Sequence, residues 1–112
     1  MKITHKTESD LVIVKPEGRI DAAALGSFSA YMNTLIQKGH KKILIDFSQT
    51  EYLSSSGIRA LVQVKQDLEA KKGTVALCSP NPHLKELFSV VQLDKMFSIY
   101  PSDFDAYDEL LD

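Results

Sequence analysis

Two short apolar runs constrain the fold of this chain more than any other feature. They are KILIDF at 42–47 and TVALC at 74–78. Neither alternates apolar with polar residues, and such continuous runs are typical of strands that are covered on both faces, as parallel strands are. We therefore expect two buried strands of one sheet, with KILIDF at its centre.

Apolar residues at helical spacing flank the first of these strands. They are Leu25, Phe28, Met32 and Leu35 before it, and Gly57, Leu61, Val64 and Leu68 after it. Spacings of three and four residues predict one buried face on each of two helices. Asp21 is expected to accept backbone N–H bonds at the start of the first helix, and Gly39 is expected to end it.

The two ends of the chain supply the remaining elements. The alternating residues 1–7 and the run LVIV at 11–14 predict two strands joined by a tight turn, with a bulge or an edge position at Pro16. Asn81-Pro82 is expected to open a third helix. Ser102 and Asp105 form a capping pair for a fourth helix. The expected apolar residues of that helix are Phe104, Tyr107 and Leu111.

The predicted element order is therefore ββαβαβαα. Right-handed crossovers make the later strands parallel and place helices over the sheet. We expect an α/β fold, with a mixed, mostly parallel sheet of about four to five strands and four helices. Because no linker or repeat is visible in the 112 residues, a single domain over 1–112 is predicted.

Composition argues against several classes of protein. A net charge of -2 lacks the excess of basic residues that nucleic-acid binding needs, and no apolar run approaches the roughly 20 residues of a membrane span. The first ten residues have no signal-peptide apolar region, so a cytoplasmic location is expected. The single cysteine, Cys78, lies in an apolar strand, which predicts a buried thiol.

The segment YLSSSGIRALV at 52–62 places three serines where a helix begins. A nucleophile elbow would need glycine two residues before Ser55, and Leu53 stands there. No P-loop pattern is present, and His5, His40 and His83 are scattered. We therefore predict no catalytic residue, no metal and no cofactor. One serine suffices as a helix cap, so the other hydroxyls leave a modification site open as an alternative.

Three segments resemble the STAS-domain family of bacterial anti-sigma-factor antagonists. They are GRIDA at 18–22, IDFSQTEYLSSSGIRAL at 45–61 and LDKMFSIYPSDFDA at 93–106, and the likeness covers nearly the whole chain. In that family the middle segment commonly includes D-S-[SAT]-G-[IL], whose first serine is phosphorylated. Alignment on Gly57 places the phosphoacceptor at Ser55. Ser54 stands where the family commonly has aspartate, so Ser54 and Ser56 are alternative acceptors.

The resemblance implies a regulatory binding protein rather than an enzyme. In the implied cycle, the unmodified protein binds an anti-sigma factor serine kinase and frees a sigma factor, phosphorylation blocks that binding, and a serine phosphatase reverses it. The expected partner-binding residues are Asp21, Ser54, Ser56, Gly57 and Arg59. For Gly57 the alternative is packing within the domain, since a missing Cβ permits close approach of either kind. Other open functions are a STAS scaffold subunit of a larger signalling assembly and a small-ligand or nucleotide sensor.

Overall fold

The computed structural model describes residues 1–111 and contains one six-stranded sheet and four α-helices. The strands are β1 (Lys2–Glu8), β2 (Leu11–Ile20), β3 (Lys42–Asp46), β4 (Thr50–Leu53), β5 (Thr74–Cys78) and β6 (Ile99–Tyr100). The helices are α1 (Leu25–Gln37), α2 (Ser55–Ala70), α3 (Pro82–Val90) and α4 (Asp103–Leu110), and one 3₁₀ turn spans Leu93–Lys95. Apart from the short strands β4 and β6, this is the predicted order, and the α/β fold is confirmed.

The sheet is mixed and mostly parallel. Its order is β1-β2-β3-β5-β6, with β1 antiparallel to β2 and the other pairs parallel. β3 lies between β2 and β5, and Ile43, Leu44 and Ile45 are at most 1% exposed. The central position predicted for KILIDF is therefore correct.

β2 has two successive parallel neighbours, and this arrangement builds the site described below. Its residues 11–14 pair with β3, and its residues 18–20 pair with β4. The bulge expected near Pro16 occurs at Gly18 and Arg19, where the register with β4 shifts and Gly18 has a φ of +92°. Pro16 itself lies between the two ladders, and its carbonyl accepts a 2.8 Å hydrogen bond from the Thr50 hydroxyl. As a result, β2 and β4 end side by side.

Helices cover both faces of the sheet. On one face α1, α2 and α3 pack over apolar strand residues, and the buried residues of α2 are the predicted Gly57, Leu61, Val64 and Leu68. On the other face α4 packs over a smaller cluster that includes Leu44, Ala76 and Cys78. The buried thiol predicted for Cys78 is confirmed.

Two predictions about helices are wrong in detail. α1 begins at Leu25 and not directly after Asp21, because residues 22–24 form a turn first. In α4, Phe104 is 70% exposed and Leu111 is 37% exposed, while Ala106 is buried. This eight-residue helix rests on the sheet through Ala106, with Tyr107 and Leu110 packed partly buried against the same cluster, so Tyr107 is the one residue of the predicted stripe that is confirmed.

Candidate functional site

The three serines form a turn between β4 and α2, which we call the serine turn (residues 54–56). The backbone N–H of Ser54 donates a 2.9 Å hydrogen bond to the carbonyl of Ile20, the last residue of β2. The chain that follows Ile20 therefore leaves the sheet beside the serine turn. This arrangement brings Asp21 and the serine turn to the same edge of the sheet.

Ser54 is the N-cap of α2. Its backbone is extended (φ -77°, ψ 168°), and its Oγ accepts a 3.1 Å hydrogen bond from the backbone N–H of Gly57. Such a bond satisfies one of the N–H groups that the first turn of a helix leaves without a partner. The Ser54 and Ser56 hydroxyls also lie 3.2 Å apart and share a hydrogen bond. Two of the three hydroxyls are thus engaged within the turn.

Ser55 differs from both of its neighbours. It is the first residue of α2, its side chain is exposed, and its hydroxyl forms no hydrogen bond within residues 1–111. At 100° per residue it lies on the side of α2 away from the buried Leu61 and Val64. The Ser55 hydroxyl is therefore the one that a second macromolecule can reach without disturbing the cap.

Gly57 is buried, and its surroundings favour the packing alternative. A Cβ built at this position would lie 2.7 Å from Leu53 Cδ1, 3.1 Å from the Ile20 carbonyl oxygen and 3.2 Å from Ile20 Cγ2. Real Cβ atoms essentially never show a contact as short as the 2.7 Å to Leu53, so the missing side chain lets α2 sit against the ends of β2 and β4. The close approach that Gly57 permits within the domain is therefore to neighbours in its own chain.

Asp21 stabilises the loop that precedes α1. Its Oδ1 accepts hydrogen bonds from the backbone N–H groups of Ala23 and Ala24, both at 3.1 Å. The N-cap of α1 is Ala24, which has no side-chain capping bond. Asp21 therefore closes the turn before the helix and does not cap the helix itself. Asp21 itself is partly buried.

Two exposed arginines lie on elements that meet at the serine turn, and sequence reasoning identified only one of them. Arg59 is exposed on α2, four residues after Ser55 and on the same helical face. Arg19 is exposed near the end of β2, and its guanidinium carbon lies 4.3 Å from the centre of the Tyr52 ring. Arg19 was missed from the sequence because β4, the strand that places Tyr52 next to Arg19, was not predicted.

The other reactive groups lie elsewhere. Burial raises the pKa of the Cys78 thiol to about 12, so this side chain stays protonated near neutral pH. His5 is on the edge strand β1, where it is hydrogen-bonded to the Tyr31 hydroxyl of α1. No group of three or more metal-ligating side chains is assembled in residues 1–111, and no helix there is long and apolar enough to cross a membrane. The serine turn is thus the candidate site.

Comparison with known proteins gives a family and a set of relatives. The family model of the STAS domain matches residues 2–106. A Bordetella bronchiseptica protein, BtrV, provisionally named an anti-sigma factor antagonist, is 27% identical over 101 residues, which are 90% of this chain and 84% of that protein.

Solved structures share the fold. A crystal structure of a Thermotoga maritima protein, also provisionally named an anti-sigma factor antagonist, has a TM-score of 0.92 and 24% identity, and the match covers 98% of this chain and 95% of that chain. The phosphorylated form of the Bacillus cell fate determinant SpoIIAA has a TM-score of 0.75 and 22% identity, with 96% and 98% covered. At these identities the likeness establishes the fold.

Proposed function

Because the chain belongs to the STAS-domain family, we propose that it is an anti-sigma-factor antagonist that acts by partner switching. In this cycle the unmodified protein binds an anti-sigma factor serine kinase and thereby frees a sigma factor. Phosphorylation of Ser55 blocks that binding, and a serine phosphatase restores it. The protein is then a regulatory binding protein and not an enzyme.

One observation carries the proposal: the Ser55 hydroxyl is exposed and unbonded at the head of α2, while its neighbours are engaged. The names of similar proteins agree with this role. BtrV is named as an antagonist of an anti-sigma factor, and SpoIIAA is known in phosphorylated and unphosphorylated forms.

The same geometry favours Ser55 over the two alternative acceptors. A phosphate on Ser54 would disturb the hydroxyl that caps α2, and losing such a cap costs about 1 kcal/mol. A phosphate on Ser56 would break the hydrogen bond between Ser54 and Ser56. At Ser55 no hydrogen bond within residues 1–111 has to be broken.

A phosphate at Ser55 is expected to leave the domain folded. It adds about -1.5 to -2 charges at pH 7, next to the positive end of the α2 dipole, which favours negative charge. Its effect therefore falls on the partner, through charge, bulk and the cost of removing water from a dianion at a packed surface. The switch is local and needs no refolding.

Phosphorylation followed by mass spectrometry tests the proposed acceptor. The protein is incubated with ATP and a purified anti-sigma serine kinase from the same genome, and the modified residue is located by fragmentation. We expect one phosphate, on Ser55, and none on a Ser55→Ala variant. The matched variants Ser54→Ala and Ser56→Ala should still be modified. A phosphate on Ser54 or Ser56, or none at all, would contradict the proposal.

A further inference from the structure

The charges around the β1–β2 hairpin are compensated with one exception. The lysine pairs there are Lys2–Glu17 at 3.8 Å, Lys6–Glu8 at 3.6 Å and Lys15–Asp46 at 3.8 Å. Arg19 forms no ion pair within residues 1–111, and its guanidinium instead lies on the Tyr52 ring. This surface therefore retains a positive charge that the domain itself does not neutralise.

The Tyr52 ring also restricts how the Arg19 guanidinium can move. Cation–π attraction to the ring face favours a guanidinium that stays over Tyr52, with its N–H donors in the plane of the group. A planar fork fixed in this way loses less entropy when it binds a carboxylate. Tyrosine and arginine are also the side chains most often found at the energetic centres of protein interfaces.

Arg59 is a second uncompensated cation next to the serine turn. It is exposed and makes no ion pair within the described chain. None of the nearby carboxylates pairs with either arginine: Glu17 pairs with Lys2, Asp21 accepts two backbone N–H bonds, and Glu51 is exposed without an ion pair in the described chain. Arg19 thus lies beside the strand that leads into the serine turn, and Arg59 lies on the helix that leaves it.

We propose that Arg19, held by Tyr52, and Arg59 bind carboxylates on the anti-sigma partner, so that an acidic surface of the partner docks over the serine turn. This inference rests on the proposed function and specifies the chemistry of the partner. Two guanidinium groups without counter-ions complement an acidic surface and would repel a basic one.

The proposed effect of phosphorylation, which blocks binding, also favours an acidic partner surface. A phosphate on Ser55 would face the partner's carboxylates and repel them. It would also lie on the helical face of Arg59, four residues away, and compete for that guanidinium. On a basic partner surface the charge of the phosphate would attract the partner and so oppose the blocking effect of its bulk and desolvation. An acidic partner surface therefore accounts both for binding and for its loss.

Charge reversal tests the inference with the same purified anti-sigma serine kinase as the probe. Association rates and affinities are measured by surface plasmon resonance at low and high salt. For Arg19→Glu and Arg59→Glu we expect association to slow about tenfold or more, with a weaker dependence on salt, since steering by opposite charges speeds association by 10–1,000-fold. Arg19→Lys should bind more weakly than wild type, because an ammonium lacks the planar fork.

Three control variants separate this effect from general electrostatics and from misfolding. Lys71→Glu makes the same change of charge at the exposed far end of α2, and its association rate should stay within about twofold of wild type. Tyr52→Phe keeps the ring and should keep most of the affinity, whereas Tyr52→Leu should lose affinity because it removes the platform. Circular dichroism on each variant verifies that the domain is folded.

The outcomes distinguish this inference from the function on which it rests. If Arg19→Glu and Arg59→Glu bind as wild type does, or more tightly, while phosphorylation of Ser55 still abolishes binding, the acidic partner surface is wrong and the switch stands. If the unmodified wild type does not bind the kinase at all, both fall.

Discussion

Replacing Gly57 by alanine tests whether close packing positions the serine turn. The added Cβ would lie 2.7 Å from Leu53 Cδ1, where carbon atoms prefer about 3.5–4.0 Å, so the overlap is about 1 Å. Leu53 is 2% exposed and Ile20 is fully buried, so neither can move aside into solvent. Overpacking of this kind costs about 1–3 kcal/mol.

A helical propensity gain of up to about 1 kcal/mol for alanine over glycine offsets part of that cost. We therefore expect Gly57→Ala to lower the free energy of unfolding by about 1–2 kcal/mol, measured by urea denaturation. Gly26→Ala in α1 is the matched control, because a Cβ there has no atom within 4 Å. That variant should be as stable as wild type or more so. If Gly57→Ala were equally stable, the packing explanation for Gly57 would be refuted.

Further substitutions test the core, the helix cap and the buried thiol. Leu61→Ala should lower the free energy of unfolding by about 2–5 kcal/mol because it leaves a cavity at a fully buried position, and a loss below about 1 kcal/mol in urea would contradict that placement. Ser54→Ala should cost about 1 kcal/mol through the lost cap, and an unchanged melting temperature would count against the cap. Burial raises the pKa of Cys78 from its ordinary 9.0 to about 12, so the unfolded chain releases this proton first and stability should fall as pH rises from 9 towards 12. In denaturation series over that range, Cys78→Ala should show a shallower fall, and an identical slope would disprove the assignment.

The elements that sequence predicted correctly are those with long or strongly patterned signals. β3 and β5 are short continuous apolar runs rich in β-branched residues, and the stripe from Gly57 to Leu68 spans enough residues for its helical period to be unambiguous. Capping by Asn81 and Ser102 was predictable because each cap bond depends on one short polar side chain next to the helix.

The features that sequence missed depend on contacts between distant segments. β4 and β6 have four and two residues, too few for a periodic pattern, and they form because β2 and β5 offer open ladders beside them. The stacking of Arg19 on Tyr52 follows from the β2–β4 pairing, and the burial of Gly57 follows from the same junction. Phe104 is exposed because α4 contacts the sheet through Ala106, Tyr107 and Leu110.

At the candidate site, the sequence predicted a helix cap and a modifiable hydroxyl but not how the three hydroxyls differ. The pattern SSSG indicated both a cap and a modifiable hydroxyl, and no local rule assigned the two roles to particular serines. The structure assigns the cap to Ser54 through its bond to Gly57, ties Ser56 to Ser54 and leaves Ser55 exposed. Which hydroxyl faces solvent is set by the β4–α2 junction, which the sequence did not reveal.

Titration calorimetry of the anti-sigma kinase with two forms of the protein tests the central claim most directly. The forms are the unmodified protein and the protein phosphorylated at Ser55, with Ser55→Ala as a variant that cannot be modified. We expect the unmodified protein and Ser55→Ala to bind, and the phosphorylated form to give no binding heat although its free energy of unfolding stays within about 1 kcal/mol of wild type. Equal affinity of the phosphorylated and unmodified forms would contradict the claim that charge at this hydroxyl decides docking.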